Sequence, residues 1–316
     1  MTHFRTVLLF LMASPLLVVG QQHDGCGERT FPTNVVDAHG QQILGLTSEQ
    51  FRATFQGQPA KVLSAKFGGG PQRILVLVDI SGSMWADSQQ WELVKLVADD
   101  MASAGPPQAE LALATFSTRV EANVRFGQGR EAVREAIRGL NPRSNGAPKP
   151  SGETALNDAI LEAANMFGSP QPGDAIYAIT DGLENESKTT TVKVRQYLEQ
   201  RNIRLFASVI NNSRFVPLPQ GPAGPELLGN TAKETGGYYT ILETDRLKNS
   251  ALGASANALR LLYSLMSSFY LLDIELPKDP DKPQELKLTV VDANGGKKKG
   301  AVALHPQNMF PCAAPR

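Results

Sequence analysis

The feature that most constrains this chain is an apolar run that turns abruptly into an oxygen-rich loop. Residues 73–85 read RILVLVDISGSMW. Residues 74–78 are unbroken, mostly branched and apolar. So short a run without polar alternation suits a strand buried on both faces of a parallel sheet. Asp79, Ser81 and Ser83 then occupy alternate positions, with Gly82 between the serines. A helical pattern comes next, over about 85–104. A ligand loop at the carboxyl end of a buried strand is where open α/β sheets place their sites.

All three side chains offer oxygen, and none offers nitrogen or sulfur. That set suits a hard cation such as Mg²⁺, which takes a near-octahedral shell at about 2.0–2.1 Å. Three ligands from one loop cannot fill six positions, so other loops on the same edge must contribute. Two stretches fit: SGETAL, with Thr154 before a helical pattern, and AIYAITDG, with Asp181 ending a second apolar run.

DISGS, a loop threonine and a strand ending in TDG together resemble the metal-ion-dependent adhesion site of von Willebrand factor A domains. The resemblance runs in order and spacing over about 73–265. It implies that Ser81 and Ser83 bind the cation directly and that Thr154 binds directly or through water. Asp79 and Asp181 would hold coordinating waters. Mg²⁺ is the expected ion, with Mn²⁺ and Ca²⁺ as the other candidates. Neutral hydroxyls leave the cation under-neutralised, so one open position can take an aspartate or glutamate from a protein partner. The bland reading of the loop is a helix cap by Ser81 or Ser83. It accounts for one serine but not for Asp79, Thr154 and Asp181 together.

The rest of the chain frames this centre. Strand and helix patterns alternate over 71–267, which predicts a doubly wound, mostly parallel α/β sheet of Rossmann-like layout. Expected strands are 110–116, an antiparallel edge within 118–126, 175–180, 203–210 and 238–241. Expected helices are 131–140, 156–167, 192–200, 226–236 and 245–267, the last with Leu247, Leu261, Leu262 and Leu265 as core. Proline-rich loops cover 141–150 and 211–225. A hairpin is expected from 35–36 to 43–46, then strands at 51–55 and 61–67, with a glycine-rich break at 68–71. Strands return at 270–276, 285–291 and 301–305, around a turn at 292–296. Neither end has enough strands for its own core. Residues 21–70 and 268–316 are therefore expected to pair into one small β-sandwich from which the central domain is inserted. That arrangement also resembles secreted bacterial von Willebrand factor A-related proteins.

Composition narrows the function. The 316 residues are 41% apolar, and 31 lysines and arginines balance 31 aspartates and glutamates. Without a basic excess there is no electrostatic case for nucleic acid. The cluster 297–299 reads as a solvated hairpin tip. Residues 1–20 read as an export signal: Arg5, an apolar core over 7–19, and small residues before Gln21. That core is shorter than the roughly 20 residues a membrane span needs. The chain is thus expected to be secreted or periplasmic, without a stable span after cleavage. Its two cysteines, Cys26 and Cys312, then face an oxidising compartment. They are expected to pair and tie the two termini together, with two free thiols or an intermolecular bridge as the alternatives.

Enzyme classes fit poorly. A phosphatase of haloacid-dehalogenase type needs a second carboxylate two residues after Asp79, where this chain has Ser81. A serine hydrolase needs a base, yet the four histidines, His3, His23, His39 and His305, all lie outside 71–267. No G-x-S-x-G elbow, P-loop or G-x-G-x-x-G stands after a strand. The remaining alternative is a structural module whose site is empty or capped internally by Glu184 or Glu186.

Overall fold

The computed structural model describes residues 27–68, 72–141, 153–211, 224–244 and 253–312. The expected export signal, Cys26, most of the 68–71 break, Leu247 and most of both proline-rich loops lie outside them. Among the described residues no helix is long and apolar enough to cross a membrane.

The chain starts with strands β1 (Glu28–Val36), β2 (Phe51–Phe55) and β3 (Gln58–Phe67). β2 and β3 meet at a two-residue turn in which Gln56 and Gly57 both take positive φ, 51° and 77°. That geometry matches the twist of a tight hairpin. The expected return limb at 43–46 is reduced to one bridge, Val36 to Gln42, and a bond from Ile43 N to Val35 O.

The central layer comes next in the chain. Its strands are β4 (Arg73–Asp79), β5 (Glu110–Phe116), β6 (Val120–Val124), β7 (Ala175–Thr180), β8 (Arg204–Asn211) and β9 (Tyr239–Glu243). They lie in the order β6-β5-β4-β7-β8-β9. All neighbours are parallel except β6, which runs antiparallel to β5 at the edge. The helices are α1 (Gly82–Trp85), α2 (Ser88–Ala104), α3 (Arg130–Gly139), α4 (Leu156–Asn165), α5 (Thr191–Gln200), α6 (Pro225–Glu234) and α7 (Gly253–Ser267). Ile74, Val76 and Val78 pack with α2, α3 and α7. Leu75 and Leu77 pack with α4, α5 and α6 on the opposite face. The unbroken apolar run is thus what a strand covered on both sides requires.

Strands β10 (Tyr270–Glu275), β11 (Gln284–Val290), β12 (Val302–Leu304) and β13 (Asn308–Met309) complete the chain. They interleave with the first three in one antiparallel sheet, β12-β1-β10-β3-β2-β11-β13. The two ends therefore do share a core, with Phe31, Phe51, Phe55, Leu272 and Leu286 in a single cluster. They form it with one curled sheet. Cys312 is disulfide-bonded, and the sequence holds one other cysteine, Cys26.

The seam between the layers is polar. The carbonyl ends of α7 are taken up by side chains from both parts. Leu265 O accepts from Arg204 Nη1 and from Asn34 Nδ2, each at 2.9 Å. Met266 O accepts from Arg204 Nη2 at 2.9 Å, and Ser267 O from Gln72 Nε2 at 2.5 Å. Arg204 is 0% exposed, with its guanidinium 4.2 Å from the Phe269 ring centre. Burial lowers its pKa to about 9, so it stays charged at neutral pH.

Candidate metal centre

Asp79 closes β4 and is fully buried. Its Oδ1 accepts from Ser81 N at 2.8 Å, and its Oδ2 accepts from Thr180 Oγ1 at 2.6 Å. Thr180 Oγ1 in turn accepts from Gly182 N at 3.0 Å. The loop carrying Asp181 is thereby tied to the loop carrying the serines. Ser81 and Ser83 approach to 3.2 Å between hydroxyls, and Ser83 hydrogen-bonds the Asp181 carboxylate. Asp181 Oδ1 also accepts from Leu183 N at 3.0 Å.

The capping explanation for the serines fails. Ser81 sits at the N-cap of α1 but its side chain caps nothing. The long helix α2 is capped instead by Asp87, which accepts from Gln89 N at 2.8 Å. The helix expected over about 85–104 thus starts at Ser88 and runs unbroken to Ala104, with the short α1 before it.

Thr154 joins the same rim through main chain. Ala155 N donates to Ser117 O at 2.9 Å, and Ile80 N donates to Phe116 O at 2.8 Å. The turns after β4 and β5 and the segment before α4 are therefore stitched together. Thr154 itself is 1% exposed. Its N donates to Asn185 Oδ1 at 2.7 Å, and its O accepts from Asn185 N at 3.1 Å. Hydrogen bonds thus link Asp79 with the Ser81 backbone, Ser81 with Ser83 and Ser83 with Asp181, while Thr154 is held beside them by its backbone.

Residues 74–184 match the family model for the von Willebrand factor type A domain. The chain carries a von Willebrand factor A domain. Among solved structures it is similar to proximal thread matrix protein 1 from the mussel byssus, in a form with a zinc-occupied MIDAS motif. That match has 17% identity and a TM-score of 0.49 over 64% of this chain and 47% of that one. The chain thus spans about half the length of the mussel protein. An aerotolerance-related membrane protein from Bacteroides fragilis matches at 16% identity and TM-score 0.47, over 62% of this chain and 99% of that one. A von Willebrand factor type A protein from Catenulispora acidiphila matches at 13% and 0.44, over 86% and 74%. No curated protein sequence matches significantly.

The domain's rim is electrostatically unbalanced. Burial, and then the neighbouring Asp181, push the Asp79 carboxyl well above the usual range. Burial also raises Asp181, against hydrogen bonds from Ser83 and Leu183. No positive side chain contributes to either shift. Two desolvated carboxylates side by side, with hydroxyls around them, fit a cation in chemistry and in charge. Among the described residues there is no group of three or more His, Cys, Asp or Glu side chains that could hold a metal.

Several residues of the rim carry little sequence signal. Thr180 stands in the TDG stretch but reads there only as strand. Asn185 and Ser117 have no local signature, because their bonds cross between loops. Glu184, one of the two residues offered for internal capping in the alternative reading, is engaged elsewhere. Its Oε2 accepts from Asn157 N and Ser187 Oγ, each at 2.7 Å. Its Oε1 accepts from Ser187 N at 2.8 Å and Glu186 N at 3.2 Å.

Proposed function

We propose that the von Willebrand factor A domain is an exported, metal-dependent protein-binding module. Asp79, Ser81, Ser83, Thr154 and Asp181 would hold one divalent cation, Mg²⁺ first, with Mn²⁺ or Ca²⁺ as substitutes. When bound, the ion supplies a Lewis-acidic position for an aspartate or glutamate of a protein partner. The observation that carries this reading is the fully buried Asp79 carboxylate, tied to Thr180 and Ser81 N with the half-buried Asp181 carboxylate beside it, and no positive side chain among the causes of either shift. Such a pair is costly unless a cation compensates it.

The residues divide the work. Thr180 and Ser81 N orient Asp79, so its lone pairs are directed and its carboxylate stays fixed. Ser83 links the serine loop to Asp181. Neutral hydroxyls keep the net charge of the donor set low, which leaves attraction for an outside acid. Export is supported by the apolar segment 7–19 and by the oxidised Cys312, for which we propose Cys26 as partner. A binding role rather than catalysis is supported by the lack of any histidine between 71 and 267.

The internally capped alternative is disfavoured by Glu184, whose two oxygens already accept bonds from the start of α4 and from its own loop. Calorimetry tests the proposal. Mg²⁺ is expected to bind the full chain saturably, and Asp79→Ala is expected to abolish that heat while circular dichroism stays unchanged. A short glutamate-bearing peptide should then bind the Mg²⁺-loaded parent and be released by chelator. Equal Mg²⁺ affinity in parent and variant would overturn the metal site. Mg²⁺ binding with no response to the peptide would leave a structural site only.

A further inference from the structure

We propose that Asn185 is a positioning residue of the metal centre, setting where Thr154 stands relative to Asp181. The idea rests on the proposed metal site and adds a residue to it. Thr154 belongs to no helix or strand, so no ladder fixes its peptide. Both of its main-chain polar groups go to Asn185, the N–H to the side-chain oxygen at 2.7 Å and the carbonyl to the backbone N–H at 3.1 Å. Two bonds to one residue fix the peptide planes on either side of the Thr154 Cα, as a ladder pair would. Glu186 N adds a longer bond to the same carbonyl at 3.3 Å.

Asn185 lies four residues after Asp181, in the same loop. The two metal arms therefore do not float independently: the loop that carries one holds the other. The same loop secures the start of α4, just beyond Thr154. That helix has no side-chain cap of its own at Ala155. Glu184 accepts from Asn157 N at 2.7 Å, and Ser187 Oγ accepts from Asp158 N at 3.0 Å. Asp158 answers by accepting from Lys188 N and Thr189 N, each at 2.9 Å. Of these contacts, only those of Asn185 and Glu186 reach Thr154 itself, and only that of Asn185 uses a side chain.

Partners that orient metal ligands typically contribute about 10–100-fold to metal affinity. Asn185→Ala is expected to weaken Mg²⁺ binding about 10-fold by calorimetry and to speed hydrogen exchange at the Thr154 amide in metal-free protein. Asn185 is exposed, so the variant should fold. Asn185→Asp keeps an acceptor at the same place and is expected to restore both readouts, which a general loosening would not do. Unchanged Thr154 exchange in Asn185→Ala overturns the positioning role whatever the parent binds. Unchanged Mg²⁺ affinity in a parent that does bind overturns its consequence for the metal. Absence of Mg²⁺ binding by the parent overturns the metal site itself.

Discussion

Asp79 shows the conflict between stability and function in one side chain. It is buried, faces Asp181, and is held by Thr180 and Ser81. Without a cation its charge opposes folding. Asp79→Asn keeps an acceptor for Ser81 N and gives Thr180 Oγ1 a donor in exchange. The metal-free variant is therefore expected to be more stable than the parent by about 1–3 kcal/mol, read by urea unfolding in chelator, while losing Mg²⁺ binding. A lower midpoint would show that the two carboxylates are not in conflict. The spacing of Asp79, Ser81 and Ser83 makes this corner legible, because alternate positions in a turn after a buried strand carry few other meanings. Thr154 and Asp181 are legible through motif. Asn185 is not, because its partner lies 31 residues away and an asparagine in a polar loop is chemically unremarked until the loops meet.

At the scale of elements, the central strands are readable because burial on both faces leaves a continuous apolar run. β5 and β7 fall on the expected residues, 110–116 and 175–180. The flanking sheet is harder. β1 runs from Glu28 to Val36 and contains Pro32, a residue that argues against a strand interior. It is tolerated because β12 pairs only with residues 34–36 on that side. β13, two residues long, is below what periodicity can detect. Arg204 has no signal either, as a lone arginine at the start of a buried strand. Its guanidinium satisfies three carbonyls, of Gly173, Leu265 and Met266. Arg204→Leu should therefore destabilise the fold by about 3 kcal/mol or more, through orphaned carbonyls at the end of α7. Guanidinium chloride titration of the two proteins measures it, and a difference below about 1 kcal/mol would mean that the helix end finds other donors.

At the scale of the molecule, the segment after β12 is what fastens the curled sheet to the helices. Gln307 N donates to Glu234 O and to Glu199 Oε1, each at 3.0 Å. Asn308 donates to Glu199 by backbone and side chain. Two titrations at this seam oppose each other. Burial lowers His305 to about 4, so the unfolded chain takes the proton first. Its contribution to stability is present above about pH 6.5 and lost as pH falls toward 4. Burial raises Glu199 to about 7 against the bonds from Asn308. Its contribution is present below about pH 4.5 and lost as pH rises toward 7. Each amounts to about 3 kcal/mol at most. The parent is expected to show a nearly flat profile between pH 4.5 and 6.5 from this pair. His305→Asn should gain on it as pH falls, and Glu199→Gln as pH rises. Thermal unfolding across that range checks both slopes, and parallel curves for parent and variants would exclude the seam as a source of pH sensitivity.

The insertion has a mechanical consequence. The central domain leaves the flanking sheet after β3 and rejoins it at β10, and those strands are hydrogen-bonded neighbours, with Phe67 opposite Tyr270. The rim with Asp79 and the two serines lies at the far end of β4, about 20 Å away along a strand of seven residues. A load applied at that end reaches both stems together. β3 and β10 then move as one blade, and the load falls in shear on their outer neighbours, β2 and β1, where many ladder bonds must break at once rather than unzip singly.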